Sequence, residues 1–322
     1  MSLPWRSDTQ CASIPGRKGA VLRPKVYIVV VHYHNWQDTV ECLESLRGLA
    51  YDSFRVLVVD NGSSDESRER LAAWASPGGS AVEILPAGEN LGFAGANNLA
   101  LRHARQAGDG AYAWLLNSDT AAEPDALDAL VDQAEADARV AFVGSKLLRY
   151  DNPGVLELLG GGWWSCWTGL THHAMAGRID FSAPAPADLD FLCGASLLVR
   201  LAALDAVGLM DEGYFLYGED LDWCLRARAA GWKLAVAPAS RVRHKGGGAV
   251  GARSCVQDYY SVRAALRAVR RFFPWALPTA AACAAARSLA PKLLRCQGRR
   301  LLAAARGWRD GLLGRTGRCE RY

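Results

Sequence analysis

Residues 26–31 read VYIVVV and residues 54–60 read FRVLVVD. Both are continuous runs of apolar, mostly β-branched residues, a pattern typical of strands that are buried on both faces of a parallel sheet. Helical and strand patterns then alternate along the chain: helices at 36–49, at 66–75 and from the glycine-rich residues 88–95 to about 107, and further strands at 82–85 and 112–116. Later in the chain the pattern predicts a strand at 189–199, bent at Gly194, and a short strand at 232–236. This alternation predicts an α/β fold, a doubly wound and mostly parallel sheet with right-handed crossovers.

Composition limits the class of protein. The chain has 322 residues, of which 50% are hydrophobic and 22% charged, so it can bury a core and is neither fibrous nor fully disordered. It has no uninterrupted run of about 18–20 apolar residues, the length that a membrane-spanning helix needs. Residues 252–322 carry 15 Lys or Arg and 3 Asp or Glu, whereas the rest of the chain is net acidic. The sequence therefore predicts an acidic globular body with a basic tail.

The nine cysteines include no CxxC pair and no regular spacing. Such scattered cysteines indicate reduced thiols in a cytosolic protein. The first residues show no apolar segment followed by a cleavage site, so we do not expect secretion.

Polar side chains follow two of the predicted strands, where parallel sheets bind their ligands. Asp60 could accept an N–H group of a pyrimidine or bind a ribose hydroxyl; it could also belong to an ordinary turn, although Asp65 is the better candidate for the cap of the next helix. Residues Asn117, Ser118 and Asp119 end the other strand. A carboxylate at this position can hold Mg²⁺ or Mn²⁺ against a diphosphate, although any strand can end in a polar turn.

Three further segments carry candidate groups. Residues 90–98, NLGFAGANN, open a helix whose free N–H groups could receive an anion or could simply be capped. Residues 218–228, GEDLDWCLRAR, open a helix with acids, one of which could act as a general base; the same acids also suit the helix dipole. His244, between two cations and ahead of glycines, could help to hold a metal-bound diphosphate or could be a solvated side chain. The other five histidines have no comparable context.

Two nucleotide-binding motifs are missing. The turn after the first strand reads HYHN at residues 32–35, without the glycines of a dinucleotide-binding site, and there is no phosphate-binding loop after a strand. The missing motifs argue strongly against NAD and FAD as cofactors.

In this order and at these separations, the motifs resemble the inverting family 2 glycosyltransferases with a GT-A fold. Within that family the chain is most similar to the rhamnosyltransferase-like branch that builds bacterial surface polysaccharides. The resemblance covers about residues 25–273 and rests on these segments: VVVHYHN, VVDNGSSD, ENLGFAGANN, LLNSD, FLCGASLLVR, DEGYFLYGEDLDWCLRAR and the late histidine.

The resemblance implies roles for individual residues. Asp220 matches the proposed catalytic base, with Glu219 beside it. Asp119 and His244 match residues near the divalent metal, Mg²⁺ or Mn²⁺, and the diphosphate. The residues implied to bind the nucleotide sugar are Asp60, Asn61, Asn90, Gly92, Asn97, Asn98, Asn117 and Ser118.

The chain departs from the family pattern at several positions. Asn117 replaces the first acid of the metal-binding DxD motif, which removes one charged ligand. Ala264 stands where the branch commonly has asparagine, and His32 and His34 differ from the usual residues after the first strand.

The resemblance also implies an organisation and a reaction. We expect a disordered leader (1–24), a nucleotide-sugar-binding half (25–150), an acceptor-binding half (151–251) and a basic helical tail (252–322). The implied reaction moves a sugar, best matched by rhamnose from dTDP-rhamnose, to a saccharide or lipid-linked saccharide with inversion. The alternatives are a nucleotidyltransferase, which would need a glycine- and arginine-rich loop after the first strand, and a non-catalytic sugar- or lipid-binding scaffold.

The basic tail interleaves leucines with arginines, a pattern that suits a helix lying on an anionic membrane surface. The alternative is a solvated helical appendage that packs on the body. We predict a cytoplasmic protein, with the tail on the inner face of the cell membrane if it binds lipid. Nucleic acid is not expected as a partner, because no groove-reading module accompanies the charge.

Overall fold

The computed structural model describes residues 23–75, 82–180, 184–246 and 254–322. The expected disordered leader lies almost entirely outside these residues. The described strands are β1 (Val26–His32), β2 (Phe54–Asp60), β3 (Val82–Pro86), β4 (Tyr112–Asn117), β5 (Thr120–Ala122), β6 (Val140–Arg149), β7 (Leu156–Leu159), β8 (Gly161–Ser165), β9 (Leu170–His173), β10 (Phe191–Leu192), β11 (Ser196–Arg200) and β12 (Lys233–His244).

Ten α-helices occur in the described residues. They are α1 (Trp36–Arg47), α2 (Ser67–Ala75), α3 (Gly92–Ala107), α4 (Ala126–Glu135), α5 (Leu204–Val207), α6 (Glu219–Ala229), α7 (Cys255–Phe272), α8 (Leu277–Ala284), α9 (Ala290–Leu294) and α10 (Gly298–Leu312).

Nine of the described strands form one mixed central sheet in the order β3-β2-β1-β4-β11-β6-β12-β5, with β7 paired to β6 outside this path. The four strands β3, β2, β1 and β4 are mutually parallel, and β12 is parallel to β6. Strand β11 runs antiparallel between β4 and β6. The predicted doubly wound, mostly parallel α/β sheet is confirmed.

Apolar side chains cover both faces of this sheet. Leu43 and Leu46 of α1 pack with Leu127 of α4 on one face, and Leu101 of α3 and Trp223 of α6 lie in the cluster on the other face. Each such side chain, when fully buried, stabilises the fold by about 1.5–3 kcal/mol. The continuous apolar runs of β1 and β2 follow from this double coverage.

Two strand predictions need correction. The strand expected at 189–199 is two strands, because the chain leaves a small sheet (β10-β8-β9) after Leu192 and joins the central sheet at Ser196. Between them the N–H of Gly194 donates to Asp220 Oδ2 (3.2 Å) instead of to a strand. The short strand expected at 232–236 continues as β12 to His244, with a shift of register between Ala237 and Arg241. Pro238 lies in that irregular stretch and has no N–H to donate, so the sequence pattern did not indicate that the strand continues beyond it.

The basic tail is a packed set of helices. Val262, Leu266 and Val269 of α7 form an apolar cluster with Ala280 of α8 and Ala304 of α10. Most of the tail therefore packs as helices against one another, and its binding to a lipid surface remains a prediction. Exposed leucines remain around α9, where Leu293 is 64% and Leu294 84% exposed.

No helix in the described part of the chain is both long and apolar enough to cross a membrane. The eight cysteines that it contains are free thiols, in agreement with the prediction of reduced cysteines. The expected boundaries at residues 150 and 251 remain a prediction; β11 and β12, from the second half, lie within the same sheet as the strands of the first half.

Candidate active site

A cleft of about 440 Å³ opens at the edge of the central sheet where β4 and β12 end. It brings together four residues that sequence analysis predicted for the site, although they are distant in the chain: Asn117, Glu219, Asp220 and His244. Strand β4 delivers Asn117, β12 delivers His244, and the N-terminus of α6 delivers the two acids. The cleft therefore contains the two candidate catalytic acids and His244, whereas the predicted carboxylates of Asp60 and Asp119 do not line it.

The two acids are placed by the first turn of α6. Gly218 precedes the helix with φ of +84°, a conformation that glycine adopts readily. Asp220 is partly exposed; its Oδ1 accepts from the N–H of Leu221 (2.8 Å) and its Oδ2 accepts from the N–H of Gly194. Burial raises the pKa of Asp220 above its ordinary value, which makes its ionised form a stronger base.

Glu219 has a different environment. Its side chain is buried, and its Oε2 has no hydrogen-bond partner among the described residues. Burial, with the nearby charge of Asp220, raises the pKa of Glu219 to about 8. The ionised form of Glu219 is therefore disfavoured. Asp220 is the better candidate for the base because it is the more exposed of the two and its carboxylate accepts two backbone N–H groups.

His244 links the predicted metal residue to an acid that sequence analysis missed. Its Nε2 lies 3.3 Å from Asp119 Oδ1, and its Nδ1 lies 2.8 Å from Oε2 of Glu157 on β7. Burial alone would lower the pKa of His244, but the hydrogen bonds to Asp119 and Glu157 raise it to about 10. The free protein therefore has an imidazolium held between two carboxylates. Glu157 belongs to no recognisable motif, so only the pairing of β7 with β6 reveals it.

The residues present allow a divalent metal only in an open site. The described residues contain no group of three or more His, Cys, Asp or Glu side chains arranged to hold a metal ion. Asp119 offers a hard carboxylate oxygen, and Mg²⁺ sites commonly use one or two carboxylates together with substrate phosphates and water. His244 could ligate only after its proton is lost, with Glu157 orienting the ring as outer carboxylates do. The donor set fits a metal that arrives with a diphosphate.

The cations beside His244 are not both available for a diphosphate. Lys245 Nζ lies 2.6 Å from carboxylate oxygens of both Asp38 and Glu41. The glycines at 247 and 248 lie outside the described residues. Ser118 is partly exposed in the turn between β4 and β5 and does not line the cleft.

Asp60 ends β2, two strands away from Asn117, and adjacent strands lie about 4.8 Å apart. It therefore lies roughly 10 Å along the sheet edge, outside the cleft. Contrary to expectation it has a structural role: Oδ1 accepts from the N–H of Ser63 (3.0 Å) and Oδ2 from Nε of Arg68 (3.3 Å). Because the Arg68 side chain is 57% exposed, it could yield its place at Oδ2 to a ligand.

The loop that precedes α3 is held in place by hydrogen bonds of the side-chain amides of Asn61 and Asn90. Asn61 Oδ1 accepts from the N–H of Leu91 (2.9 Å), and Asn61 Nδ2 donates to Asn90 Oδ1 (3.2 Å). Asn90 Oδ1 also accepts from the N–H of Gly92 (2.9 Å). A side chain at Gly92 would lie 2.3 Å from the carbonyl oxygen of Phe215, so this position requires glycine. These contacts give the loop residues a positioning role.

The start of α3 is less open to an anion than the sequence suggested. The N–H of Phe93 donates to the carbonyl of Phe215 (2.7 Å). Asn97 Nδ2 donates to the carbonyl of Phe93 (2.9 Å). Asn98 bonds both the N–H and the carbonyl of Met210 (3.0 and 2.9 Å). Both amides are buried and hold neighbouring segments, and donor binding by them remains a prediction.

His173 is a second residue that sequence analysis missed, because we placed it outside the site. It lines the cleft on β9, and its ring packs edge-to-face on Phe191 at 5.9 Å between centroids. No local motif marks it, since a small antiparallel sheet brings it to the cleft.

This fold and this cleft define a glycosyltransferase of the GT-A class. Residues 24–256 match the family described as "Glycosyltransferase like family 2", and the chain belongs to that family. The family match favours the glycosyltransferase over the nucleotidyltransferase alternative.

Individual relatives are consistent with this assignment. The chain is 30% identical over 239 residues to the N-acetylglucosaminyl-diphospho-decaprenol L-rhamnosyltransferase of Mycobacterium tuberculosis (strain H37Rv), covering 67% of this chain and 75% of the relative. It is 25% identical over 229 residues to the rhamnosyltransferase WbbL of Escherichia coli K12, covering 68% and 83%. The solved mannosyltransferase of Pyrobaculum calidifontis, in complex with GDP-Man and Mn²⁺, matches with a TM-score of 0.54 and 20% identity, covering 91% and 84%.

Proposed function

We propose that this glycosyltransferase moves rhamnose from dTDP-rhamnose to a saccharide or lipid-linked saccharide, with inversion at the anomeric carbon. The observation that carries the proposal is the shared cleft, where Asp220 and the Asp119-bound His244 converge from separate parts of the chain. The choice of rhamnose is supported by the names of both the mycobacterial and the E. coli relatives, and the choice of a lipid-linked acceptor by the name of the mycobacterial relative.

Asp220 acts as the base in this proposal. It takes the proton of an acceptor hydroxyl while that oxygen forms a bond to the anomeric carbon, and the bond from that carbon to the diphosphate breaks. Attack on the face opposite the leaving group inverts the centre. Burial disfavours a second negative charge on the neighbouring Glu219.

Asp119 and His244 hold the diphosphate end of the donor. A divalent metal bound at Asp119 would supply positive charge to the departing diphosphate, for which the comparison with a Mn²⁺-containing structure gives support. His244, held by Glu157, keeps its position whether it contacts the diphosphate or the metal. Asn117 and, after displacement of Arg68, Asp60 would contact the rest of the nucleotide sugar.

The test is a transfer assay with the purified full chain. We expect dTDP-rhamnose, with Mg²⁺ or Mn²⁺, to rhamnosylate N-acetylglucosaminyl-diphospho-farnesol, a short-chain form of the acceptor class named for the mycobacterial relative. GDP-mannose and UDP-glucose serve as comparison donors. Transfer from one of these donors alone would overturn the choice of rhamnose; no transfer and no nucleotide-sugar hydrolysis with any donor would favour the non-catalytic scaffold.

The membrane is the proposed location of a lipid-linked acceptor, on the cytoplasmic side. Leu293 and Leu294 are exposed on α9, and Arg287, Arg295 and Arg299 are exposed around them. Apolar side chains flanked by arginines suit an anionic lipid surface. We expect the full chain to sediment with phosphatidylglycerol vesicles, and the Leu293→Ser/Leu294→Ser variant to sediment less. Equal sedimentation of the two proteins would contradict a membrane role for α9.

A further inference from the structure

Helix α7 begins where the family match ends, yet it forms one wall of the cleft. Residues Gln257, Ser261, Ala264 and Ala265 line the cleft from this helix. A Cβ on Gly218, which directly precedes the catalytic acids, would lie 3.1 Å from the Cβ of Ala264. The small side chain of Ala264 therefore lets α7 touch the start of α6.

The same helix touches the opposite wall. A Cβ on Gly169, in the turn between β8 and β9, would lie 3.4 Å from the Cβ of Ala265. Helix α7 thus packs between the start of α6 and the β8–β9 hairpin. The cleft beside Asp220 is bounded by these three elements.

Buried contacts fix α7 against the segment that leads into α6. Arg263 is buried, and its guanidinium donates to the carbonyls of Tyr214 (2.5 Å) and Gly317 (2.7 Å). The ring of Tyr260 stacks on Phe215 at 5.1 Å. Phe215 and Tyr217 both have φ of +66°, which is uncommon for large residues, so the contacts with α7 hold a strained segment in place.

The part of the cleft between α7 and the β8–β9 hairpin differs in its chemistry from the part next to Asn117 and His244, where we place the diphosphate. Thr171 and His173 on the hairpin and Ser261 and Gln257 on α7 all line the cleft. The lining residues include no lysine or arginine, their only acids are Glu219 and Asp220, and His244 lies where β12 ends. Such a surface suits a neutral ring bearing hydroxyl groups and is poorly suited to a phosphate, which is commonly bound by cations.

We propose that α7 and the β8–β9 hairpin form the subsite for the acceptor saccharide, with His173 and Ser261 contacting its hydroxyl groups beside Asp220. This inference rests on the proposed function and deepens it. The basic tail then has a role in the reaction itself, because its first helix completes the site at which the acceptor is deprotonated.

The experiment compares His173→Ala and Ser261→Ala with His172→Ala in the full chain. His172 is the neighbour on β9 and does not line the cleft, so it controls for loss of an imidazole from the hairpin. We expect each of the first two variants to raise the KM for N-acetylglucosaminyl-diphospho-farnesol about tenfold, the loss of roughly one hydrogen bond. The KM for dTDP-rhamnose should stay within about twofold in all three proteins.

A second measurement is independent of catalysis. Calorimetric titration of the same acceptor, without donor, should show weaker binding to His173→Ala and to Ser261→Trp, which fills the opening from an exposed helix position. Equal binding to the wild type and both variants, or effects of the same size in His172→Ala, would overturn the subsite. Acceptor binding that these variants weaken, in a chain without transfer from dTDP-rhamnose, would support the subsite while refuting the proposed donor.

Discussion

The predicted site residues divide into two groups that behave differently in the structure. The first group, the cleft group, lines the cavity and consists of Asn117, Glu219, Asp220 and His244. The second group, the loop group, lies outside it and consists of Asp60, Asn61, Asn90, Asn97 and Asn98. The cleft group presents polar atoms to the cavity, whereas the side chains of the loop group form hydrogen bonds with neighbouring backbone and side-chain groups.

The difference shows that a polar residue in a motif can serve one of two purposes, ligand binding or the stability of the fold. In the cleft group a side chain must be available to a ligand, even at a cost to stability, as Oε2 of Glu219 illustrates, which has no hydrogen-bond partner in the described part of the chain. In the loop group a side chain must satisfy buried backbone groups, as Asn98 does for Met210. Substitutions in the cleft group should therefore change rate, and those in the loop group should change stability.

The largest effect is expected for Asp220→Asn. The amide oxygen can still accept one of the two backbone hydrogen bonds, so the fold should persist, but the base is lost. We expect kcat for transfer to fall by about 10³-fold, within the range found for general bases, with the melting temperature nearly unchanged. A kcat within tenfold of the wild type would remove Asp220 from the role of base.

The next largest effect concerns the metal. We expect chelation by EDTA, and separately Asp119→Asn, to lower the transfer rate by about 10²-fold, because one carboxylate and its metal stabilise the leaving diphosphate. Added Mn²⁺ or Mg²⁺ should restore the chelated wild type and restore the variant only in part. A rate that is indifferent to EDTA would show that the imidazolium of His244 suffices and that the enzyme needs no metal.

The loop group gives the third prediction. Asn98→Ala would leave the N–H and carbonyl of Met210 without their buried partners, and an unsatisfied buried group costs about 1–3 kcal/mol. We expect the free energy of unfolding, from urea denaturation, to fall by about 2 kcal/mol. Asn97→Ala is the matched control, since it removes the hydrogen bond from Asn97 Nδ2 to the carbonyl of Phe93 and should cost less. If Asn98→Ala lost affinity for the donor without losing stability, the division into two groups would fail.

The sequence alone predicted those parts of the fold that depend on local patterns of residues. The buried runs at β1, β2 and β4 predicted the parallel half of the sheet, because strands covered on both faces are apolar at every position. The sequence did not show that β12 extends to His244, since Pro238 and the shift of register interrupt the strand pattern. A register irregularity depends on the neighbouring strand, which a single sequence does not display.

The same limit applies to the site. Asp220 and His244 could be predicted because each lies in a motif. Glu157 and His173 reach the site only through antiparallel pairing, of β7 with β6 and of β9 with β8, and neither has a local pattern that indicates its role. The tail was predicted as basic and helical, but its part in the cleft depends on small residues of α7 that fit against glycines elsewhere.

The smallest effect is expected for Glu219→Gln, and it tests whether the cleft group carries a cost in stability. Because the pKa of Glu219 is raised to about 8 in the folded protein, folding disfavours its ionised form, and the wild type should lose stability as pH rises from the ordinary glutamate value of 4.5 toward 8. Gln cannot ionise, so the variant should match the wild type near pH 4.5 and be more stable near pH 8, by about 1–2 kcal/mol after allowance for solvent penetration. Urea denaturation at the two pH values measures this difference, with Glu212→Gln, an exposed acid, as the control. A difference that is the same at both pH values would mean that folding does not disfavour the ionised form of Glu219, and the cleft group would then carry no such cost at this position.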